Sequence, residues 1–225
     1  MKKVLNIDKK IVKIIYDENC DNVPLILLNT FEENIDSIYE DAIRLTDKKF
    51  ILVTISNIDW NNDLSPWYMK NTNINDSDYS GNADKYLELL TDKILDEIDN
   101  EIDINISEYI LGGYSLAGLF ALYSIYKTDK FSKIISCSSS LWYPNYLEFV
   151  KKTELLSKPD KIYFSLGNKE HMTSNKLLKN VRDNTVELEK YYKKMNIETT
   201  FEENIGNHFQ EINNRIAKGI AWVLK

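Results

Sequence analysis

The sequence predicts an α/β fold in which a mainly parallel central sheet is covered by helices on both faces. Two observations predict it. Short apolar runs typical of buried parallel strands alternate with longer segments of helical periodicity, and one strand runs through a turn of small residues into an apolar helix. Strands that alternate with helices are joined by right-handed crossovers and form a parallel sheet. At 225 residues, the chain is expected to form one domain, 1–225.

The strands are predicted from the apolar runs. In chain order they span 11–16, 24–28, 50–55, 109–111, Lys133–Cys137, 161–166 and 199–204. Helical periodicity places apolar residues on one face of 83–98, of 178–195 and of the last helix, which carries Ile212, Ile216, Ile220 and Val223. The segment 57–82 is rich in Asn, Asp and Ser and is predicted as a long loop, which in a compact domain is usually functional or mobile.

Composition argues against several classes of partner. The net charge of −7 makes an electrostatic grip on nucleic acid or on an anionic membrane unfavourable. No apolar run has the length of a membrane span and the N-terminus lacks the apolar core of a signal peptide, so a cytoplasmic location is expected. Cys20 and Cys137 are far apart and are expected to be reduced thiols. Nothing in the residues predicts a particular oligomeric state.

The most informative segment is residues 108–124, EYILGGYSLAGLFALYS, with Ser115 at the turn between strand and helix. A serine at such a turn adopts a strained backbone conformation, so the residues two before and two after it must be small. Gly113 and Ala117 meet this demand. The segment is therefore predicted to be a nucleophile elbow, with Ser115 as the nucleophile.

A serine nucleophile needs a base, which is nearly always a histidine. The chain has two histidines. His208 follows the last predicted strand and precedes the last helix, as the base does in the α/β-hydrolase order of serine, acid and histidine. His171 does not fit this order, so His208 is the predicted base.

The acid of a triad is expected after the strand at 161–166, where Glu170 is the candidate. Asp160, Asp183 and Glu187 are the alternative acids. The negative charge that develops on a carbonyl oxygen needs preorganised donors, which this fold takes from the residue after the nucleophile and from the loop after the third strand. Those donors are predicted to be the backbone amides of Leu116 and Phe31.

Aromatic residues in loops beside the predicted site are candidates for substrate binding, with core packing as the alternative reading. They are Trp60, Trp67, Tyr114 and Trp142. No metal is expected, since the calcium-like start at Asp76 and Asp78 has Leu87 where the loop needs a bidentate Glu. The predicted chemistry needs no cofactor.

Five segments together resemble an esterase branch of the α/β-hydrolases that includes enterochelin-type siderophore esterases, esterase D-like enzymes and feruloyl or acetyl-xylan esterases. The segments are 59–67, 112–118, 138–143, 164–170 and 206–209, and the resemblance covers residues 20–225. It implies the α/β-hydrolase fold and hydrolysis of a small or medium ester, of siderophore or aromatic acyl type, through an acyl-enzyme. Two positions depart from the family pattern: Asn29-Thr30-Phe31 replaces a His-Gly-Gly stretch, and no clear Asp stands at the acid site.

Three alternatives to this reading stay open. Some siderophore-esterase relatives work with a Ser-His dyad, which leaves the acid undecided. A thioesterase or acyltransferase would use the same serine and histidine with a different acceptor. A catalytically silent binding module would keep the fold, although such a module has no need for both Ser115 and His208.

Overall fold

A computed structural model of the protein describes residues 1–31, 35–71 and 76–225. Its main sheet has eight strands in the order β1-β2-β4-β3-β7-β8-β9-β10. They are β1 (Lys2–Ile7), β2 (Lys10–Ile15), β3 (Val23–Asn29), β4 (Ile51–Ser56), β7 (Ile106–Tyr114), β8 (Lys133–Cys137), β9 (Lys161–Gly167) and β10 (Glu198–Asn204). β1 and β2 pair antiparallel with their neighbours, whereas the pairs from β4 to β10 are all parallel.

Helices cover both faces of this sheet, as predicted. One face carries α3 (Ala83–Leu89), a π-helical turn (Leu90–Ile94), α4 (Leu95–Glu101), α5 (Leu116–Ser124), α6 (Tyr146–Lys152) and α7 (Val181–Lys194). The other face carries α1 (Ile35–Leu45) and α8 (Ile212–Val223), which pack against each other. The apolar stripe predicted over 83–98 is buried throughout, and Ile216, Ile220 and Val223 of α8 are buried as well. The stripes therefore form the two layers of core on either side of the sheet.

The structure adds elements that the sequence patterns did not predict. β1 alternates exposed and half-buried residues at the antiparallel edge of the sheet, so it lacks the continuous apolar run of the central strands. The helices α1 and α6 were also missed. The segment 57–82 is not only a loop: it holds the short helix α2 (Trp60–Asp63) and a small antiparallel pair, β5 (Tyr68–Met69) with β6 (Tyr79–Ser80). Its residues 72–75 lie outside the described residues.

The parallel arrangement positions the candidate site. β3, β7, β9 and β10 run in the same direction, so their carboxyl ends lie along one edge of the sheet. Binding and catalytic groups of open α/β sheets gather at this edge. Among the described residues, no helix is long and apolar enough to cross a membrane.

Candidate active site

Ser115 lies at a strained turn between β7 and α5. Its backbone has φ 59° and ψ −122°, a conformation that costs free energy for a residue with a side chain, and its N–H donates to the carbonyl oxygen of Cys137 at 3.0 Å. A Cβ atom on Gly113 would lie 2.5 Å from Ala117, so the turn cannot accept a larger residue there. The elbow geometry predicted from the small residues is confirmed. Ser140 is a second serine nearby, with its Oγ 3.4 Å from that of Ser115.

His208 faces Ser115 from the loop between β10 and α8. Its Nε2 lies 3.1 Å from Ser115 Oγ, a hydrogen-bond distance. The loop is held in place by Tyr114, whose hydroxyl donates to the backbone carbonyl oxygen of His208 at 2.8 Å. Tyr114, which directly precedes Ser115, therefore fixes the loop that carries His208.

Glu170 lies on the far side of the imidazole. His208 Nδ1 is 2.7 Å from Glu170 Oε2, and the carboxylate is only 4% exposed. Direct contacts between the two loops hold this pair together: Lys169 N–H donates to the Gly206 carbonyl oxygen at 3.0 Å, and Gly206 N–H donates to Asn168 Oδ1 at 3.0 Å. The loops that follow the neighbouring strands β9 and β10 are therefore joined directly, which fixes the acid relative to the histidine.

The second oxygen of Glu170 accepts three further hydrogen bonds. The donors to Oε1 are the Gly167 N–H at 2.6 Å, the Ser138 hydroxyl at 2.8 Å and Arg215 Nη1 at 2.8 Å. Burial by itself raises the pKa of Glu170. Hydrogen bonds and charge attraction from His208, with hydrogen bonds from Gly167 and Ser138, outweigh burial and hold the pKa below its ordinary value. The carboxylate is therefore ionised at neutral pH.

Arg215 is a residue of this site that the sequence reasoning missed. It is fully buried, and its guanidinium also donates to the Tyr114 hydroxyl at 2.9 Å and to the Asn207 carbonyl oxygen at 3.0 Å. Burial raises the pKa of Tyr114 to about 12, which keeps its hydroxyl protonated. A signal was present in the sequence: Arg215 is a cation beside Ile212 and Ile216 on the apolar face of the last helix, and buried arginines are almost always paired.

The rival acids lie elsewhere. Asp160 is exposed at the amino end of β9, away from the edge that carries Ser115. Asp183 is exposed in the first turn of α7, and Glu187 on the same helix pairs with Lys151. Of the four carboxylates considered, the structure brings only Glu170 to His208.

Ser115 and His208 line a cavity of about 460 Å³. Trp60 and Tyr114, two of the four aromatic residues predicted to bind substrate, line it. The remaining lining residues come from the end of β3 and the residues just after it, from α1, from the loop before α8 and from α8 itself. They are Asn29, Thr30, Phe31, Ile38, Phe209, Ile212, Asn213 and Ile216. The volume falls within the range of roughly 300–1,000 Å³ found for small-molecule sites.

Trp67 and Trp142 do not line this cavity, contrary to the prediction. The Trp67 Nε1–H donates to the Pro144 carbonyl oxygen at 3.1 Å. The Trp67 ring packs on the rings of Tyr143, Tyr146 and Phe149. Trp142 packs against Tyr79 and Tyr143. Both indoles belong to an aromatic cluster that borders the main core. Their location in loops near the site was correct, but the direction in which each ring points is set by this cluster.

The two predicted oxyanion donors are the residue that follows Ser115 and a residue that lines the same cavity. Leu116 is the first residue of α5, so its N–H has no acceptor within the helix. Phe31 lines the same cavity as Ser115. The amide before it is already used, since Thr30 N–H donates to the Ile55 carbonyl oxygen at 2.9 Å.

Neither cysteine supplies a group for proton transfer, although the Cys137 carbonyl oxygen accepts the Ser115 N–H. Cys20 and Cys137 are free and buried. Burial raises the pKa of the Cys137 thiol to about 12, which keeps it protonated and unreactive.

Comparisons with known proteins agree with this architecture. The protein YbbA of Bacillus subtilis (strain 168), itself uncharacterized, is 25% identical over 145 residues, which cover 60% of this chain and 58% of YbbA. The structure is similar to an IroE-like serine hydrolase of Shewanella oneidensis, with a TM-score of 0.84 at 17% identity over 100% of this chain and 79% of the other. It is also similar to the siderophore hydrolase EstA of Aspergillus nidulans, with a TM-score of 0.81 at 16% identity over 100% and 93%. These likenesses show the α/β-hydrolase fold.

The family assignment comes from a model of the family described as "Putative esterase", which matches residues 28–214. The matched stretch begins in β3 and ends within α8, so it includes the elbow and the loops that carry Glu170 and His208. Because it covers most of the sequence, the chain belongs to this family of esterases with the α/β-hydrolase fold.

Proposed function

We propose that the protein is a serine hydrolase that cleaves small-molecule carboxylic esters through an acyl-enzyme formed on Ser115. The observation that carries the proposal is the line of contacts from Ser115 Oγ to His208 Nε2 at 3.1 Å and from His208 Nδ1 to Glu170 Oε2 at 2.7 Å. Ser115 and His208 line a cavity that is large enough for a small molecule. Nucleophile, base and orienting carboxylate in hydrogen-bond contact are the arrangement that activates a serine.

The first half-reaction forms the acyl-enzyme. Ser115 Oγ attacks the ester carbonyl carbon as His208 Nε2 takes the hydroxyl proton, and the carbonyl oxygen becomes an oxyanion. We assign the amides of Leu116 and Phe31 as donors to that oxygen. The tetrahedral intermediate then collapses: the bond to the alcohol oxygen breaks, and the imidazolium gives its proton to the departing alcohol. Glu170, ionised and hydrogen-bonded to Nδ1, stabilises the imidazolium during these steps.

The second half-reaction returns the enzyme to its resting state. Water attacks the acyl carbon and His208 takes its proton, so a second tetrahedral intermediate forms at the same oxyanion site. When this intermediate collapses, the bond to Ser115 Oγ breaks, the serine regains its proton from the imidazolium, and the carboxylic acid leaves. Each step uses side chains and amides of this chain alone.

The acyl-enzyme itself tests the proposal. Rapid mixing with p-nitrophenyl acetate should release a burst of p-nitrophenolate of about one equivalent per protein. Intact-protein mass spectrometry should show one added acetyl group, and peptide mapping should place it on Ser115. Turnover equal to that of Ser115→Ala, with no acetyl adduct, would favour a catalytically silent module. A strong preference for a thioester, or for an alcohol over water as acceptor, would favour a thioesterase or an acyltransferase.

A further inference from the structure

Two exposed phenylalanines line the cavity that contains Ser115. Phe31, at the end of β3, is 79% exposed, and Phe209, next to His208, is 81% exposed. Each ring packs in a T-shaped arrangement against a second ring of the site. The ring centroids of Phe31 and Trp60 are 5.6 Å apart, and those of Phe209 and His208 are 5.2 Å apart. Exposed apolar groups gathered at a concave site mark a binding surface, because a ligand that covers them removes apolar area from water.

The interior of the cavity is apolar as well. Ile38 comes from α1, and Ile212 and Ile216 come from α8. Asn29, Thr30 and Asn213 add uncharged polar groups. Among the described residues that line it there is no Asp, Glu, Lys or Arg. An ionised substrate group placed here would lose hydration without gaining a partner of opposite charge, which is costly.

The acyl group is the half of the ester that this space must hold. The alcohol leaves after the first half-reaction, whereas the acyl group stays bonded to Ser115 until water attacks. Any selectivity exercised by the cavity therefore acts longest on the acyl group.

We infer that the natural substrates carry an uncharged, apolar acyl group that packs against Phe31 and Phe209, and that these two side chains determine acyl preference. This inference rests on the proposed function and deepens it by naming the substrate class. It sets the protein apart from a hydrolase for carboxylated or polyanionic esters. The two rings are specificity-determining, since each touches the substrate and neither takes part in proton transfer.

The kinetic test varies the acyl group under a constant leaving group. Wild-type kcat/KM should rise from p-nitrophenyl acetate to butyrate to hexanoate, and should be about tenfold or more higher for butyrate than for mono-p-nitrophenyl succinate, whose acyl chain ends in a carboxylate. Phe31→Ala and Phe209→Ala should each lower the ratio of kcat/KM for hexanoate to kcat/KM for acetate by about threefold or more, mainly through a higher KM for hexanoate. Because both rings are exposed, neither variant should lose thermal stability.

Leu156→Ala is the matched control. Leu156 is 61% exposed and does not line the cavity, so its truncation removes exposed apolar area without touching the site. It should leave the kcat/KM for both acetate and hexanoate within about threefold of wild type. The inference is overturned if succinate monoester is hydrolysed as fast as butyrate, or if the two phenylalanine variants lower acetate and hexanoate turnover by the same factor.

A binding measurement separates this inference from the proposed function. Calorimetric titration of the Ser115→Ala protein compares hexanophenone, an uncharged ketone, with 5-benzoylpentanoate, which ends in a carboxylate. The ketone should bind about tenfold or more tightly than the carboxylate, and Phe209→Ala in the same background should weaken ketone binding. If wild type hydrolyses no ester yet this preference is found, the proposed function fails and the apolar site stands. Equal binding of the two ligands overturns the inference, whatever the activity.

Discussion

Arg215 Nη1 lies 2.8 Å from Glu170 Oε1, while His208 Nδ1 lies 2.7 Å from Oε2 of the same carboxylate. One buried carboxylate thus contacts a buried cation through one oxygen and the imidazole through the other. Only Nη1 donates to the carboxylate, while Nη2 donates to the Asn207 carbonyl oxygen at 3.0 Å, so the rigid planar guanidinium fixes the direction from which Nη1 meets Glu170. Within the part of the chain that the structure describes, the Arg215 guanidinium makes no hydrogen bond to Ser115 or to the imidazole ring, so we assign it as a positioning residue that acts through Glu170.

Substitution of Arg215 should separate folding from positioning. Arg215→Met leaves Glu170 without its cation, and the loss of one partner of a buried pair costs about 3–5 kcal/mol. We expect the free energy of unfolding, measured in urea, to fall by that amount. Arg215→Lys keeps the charge but loses the planar fork. Assayed well below its Tm, it should show kcat lowered by about tenfold with KM unchanged. A lysine variant with wild-type kcat would show that the orientation of Glu170 does not depend on the fork.

Glu170→Gln tests the acid directly. A neutral amide cannot stabilise the imidazolium, so kcat should fall by roughly 10²–10⁴ with little change in KM. Asp160→Asn and Asp183→Asn are matched controls, since both carboxylates are exposed and lie away from His208. They should stay within about threefold of wild type. If Glu170→Gln also stays within that range, the site is better described as a Ser-His dyad.

The lowered pKa of Glu170 predicts a pH dependence of stability. Its folded pKa lies below the ordinary value of 4.5, so between the two the unfolded chain binds more protons than the folded one. The stabilisation from ionised Glu170 is complete above that ordinary value and is lost as the pH falls through the folded pKa. Glu170→Gln lacks this titration. The difference in free energy of unfolding between wild type and variant should therefore shrink as the pH falls below about 4.5. A difference that grows on acidification would contradict the assignment.

The two histidines give a paired test of the base. His208→Ala should lower kcat/KM nearly as much as loss of the serine, because triad members act as a unit. His171→Ala should retain most of the activity, since His171 does not line the cavity. In wild type, kcat/KM should fall on acidification, because a protonated imidazole cannot accept the serine proton. An active His208→Ala protein with an inactive His171→Ala protein would reverse the assignment.

The sequence predicted the parts of the site that depend on local sterics and on strand direction. The elbow at Ser115 could be predicted because only small residues fit at positions such as Gly113, where an added Cβ would collide with Ala117. Glu170 and His208 could be proposed together because the parallel strands β9 and β10 bring the loops at their carboxyl ends to the same edge of the sheet.

Contacts between side chains of distant segments could not be predicted in this way. Arg215 reaches Glu170, which is 45 positions away, and Tyr114, which is 101 positions away, and no local pattern records such pairs. Trp67 and Trp142 were expected at the substrate because they stand in nearby loops. Loop membership does not say where a ring points, and packing against Tyr143 directs both rings into the aromatic cluster.

The nucleophile is the central claim, and labelling with a fluorophosphonate probe tests it most directly. The wild-type protein should take up about one equivalent of probe, mapped by mass spectrometry to Ser115, and Ser115→Ala should take up none while keeping its circular dichroism spectrum. Ser140→Ala is a demanding control, because Ser140 Oγ lies 3.4 Å from Ser115 Oγ. It should be labelled with unchanged stoichiometry. Labelling of Ser115→Ala equal to that of wild type, or a probe mapped to Ser140, would contradict the account.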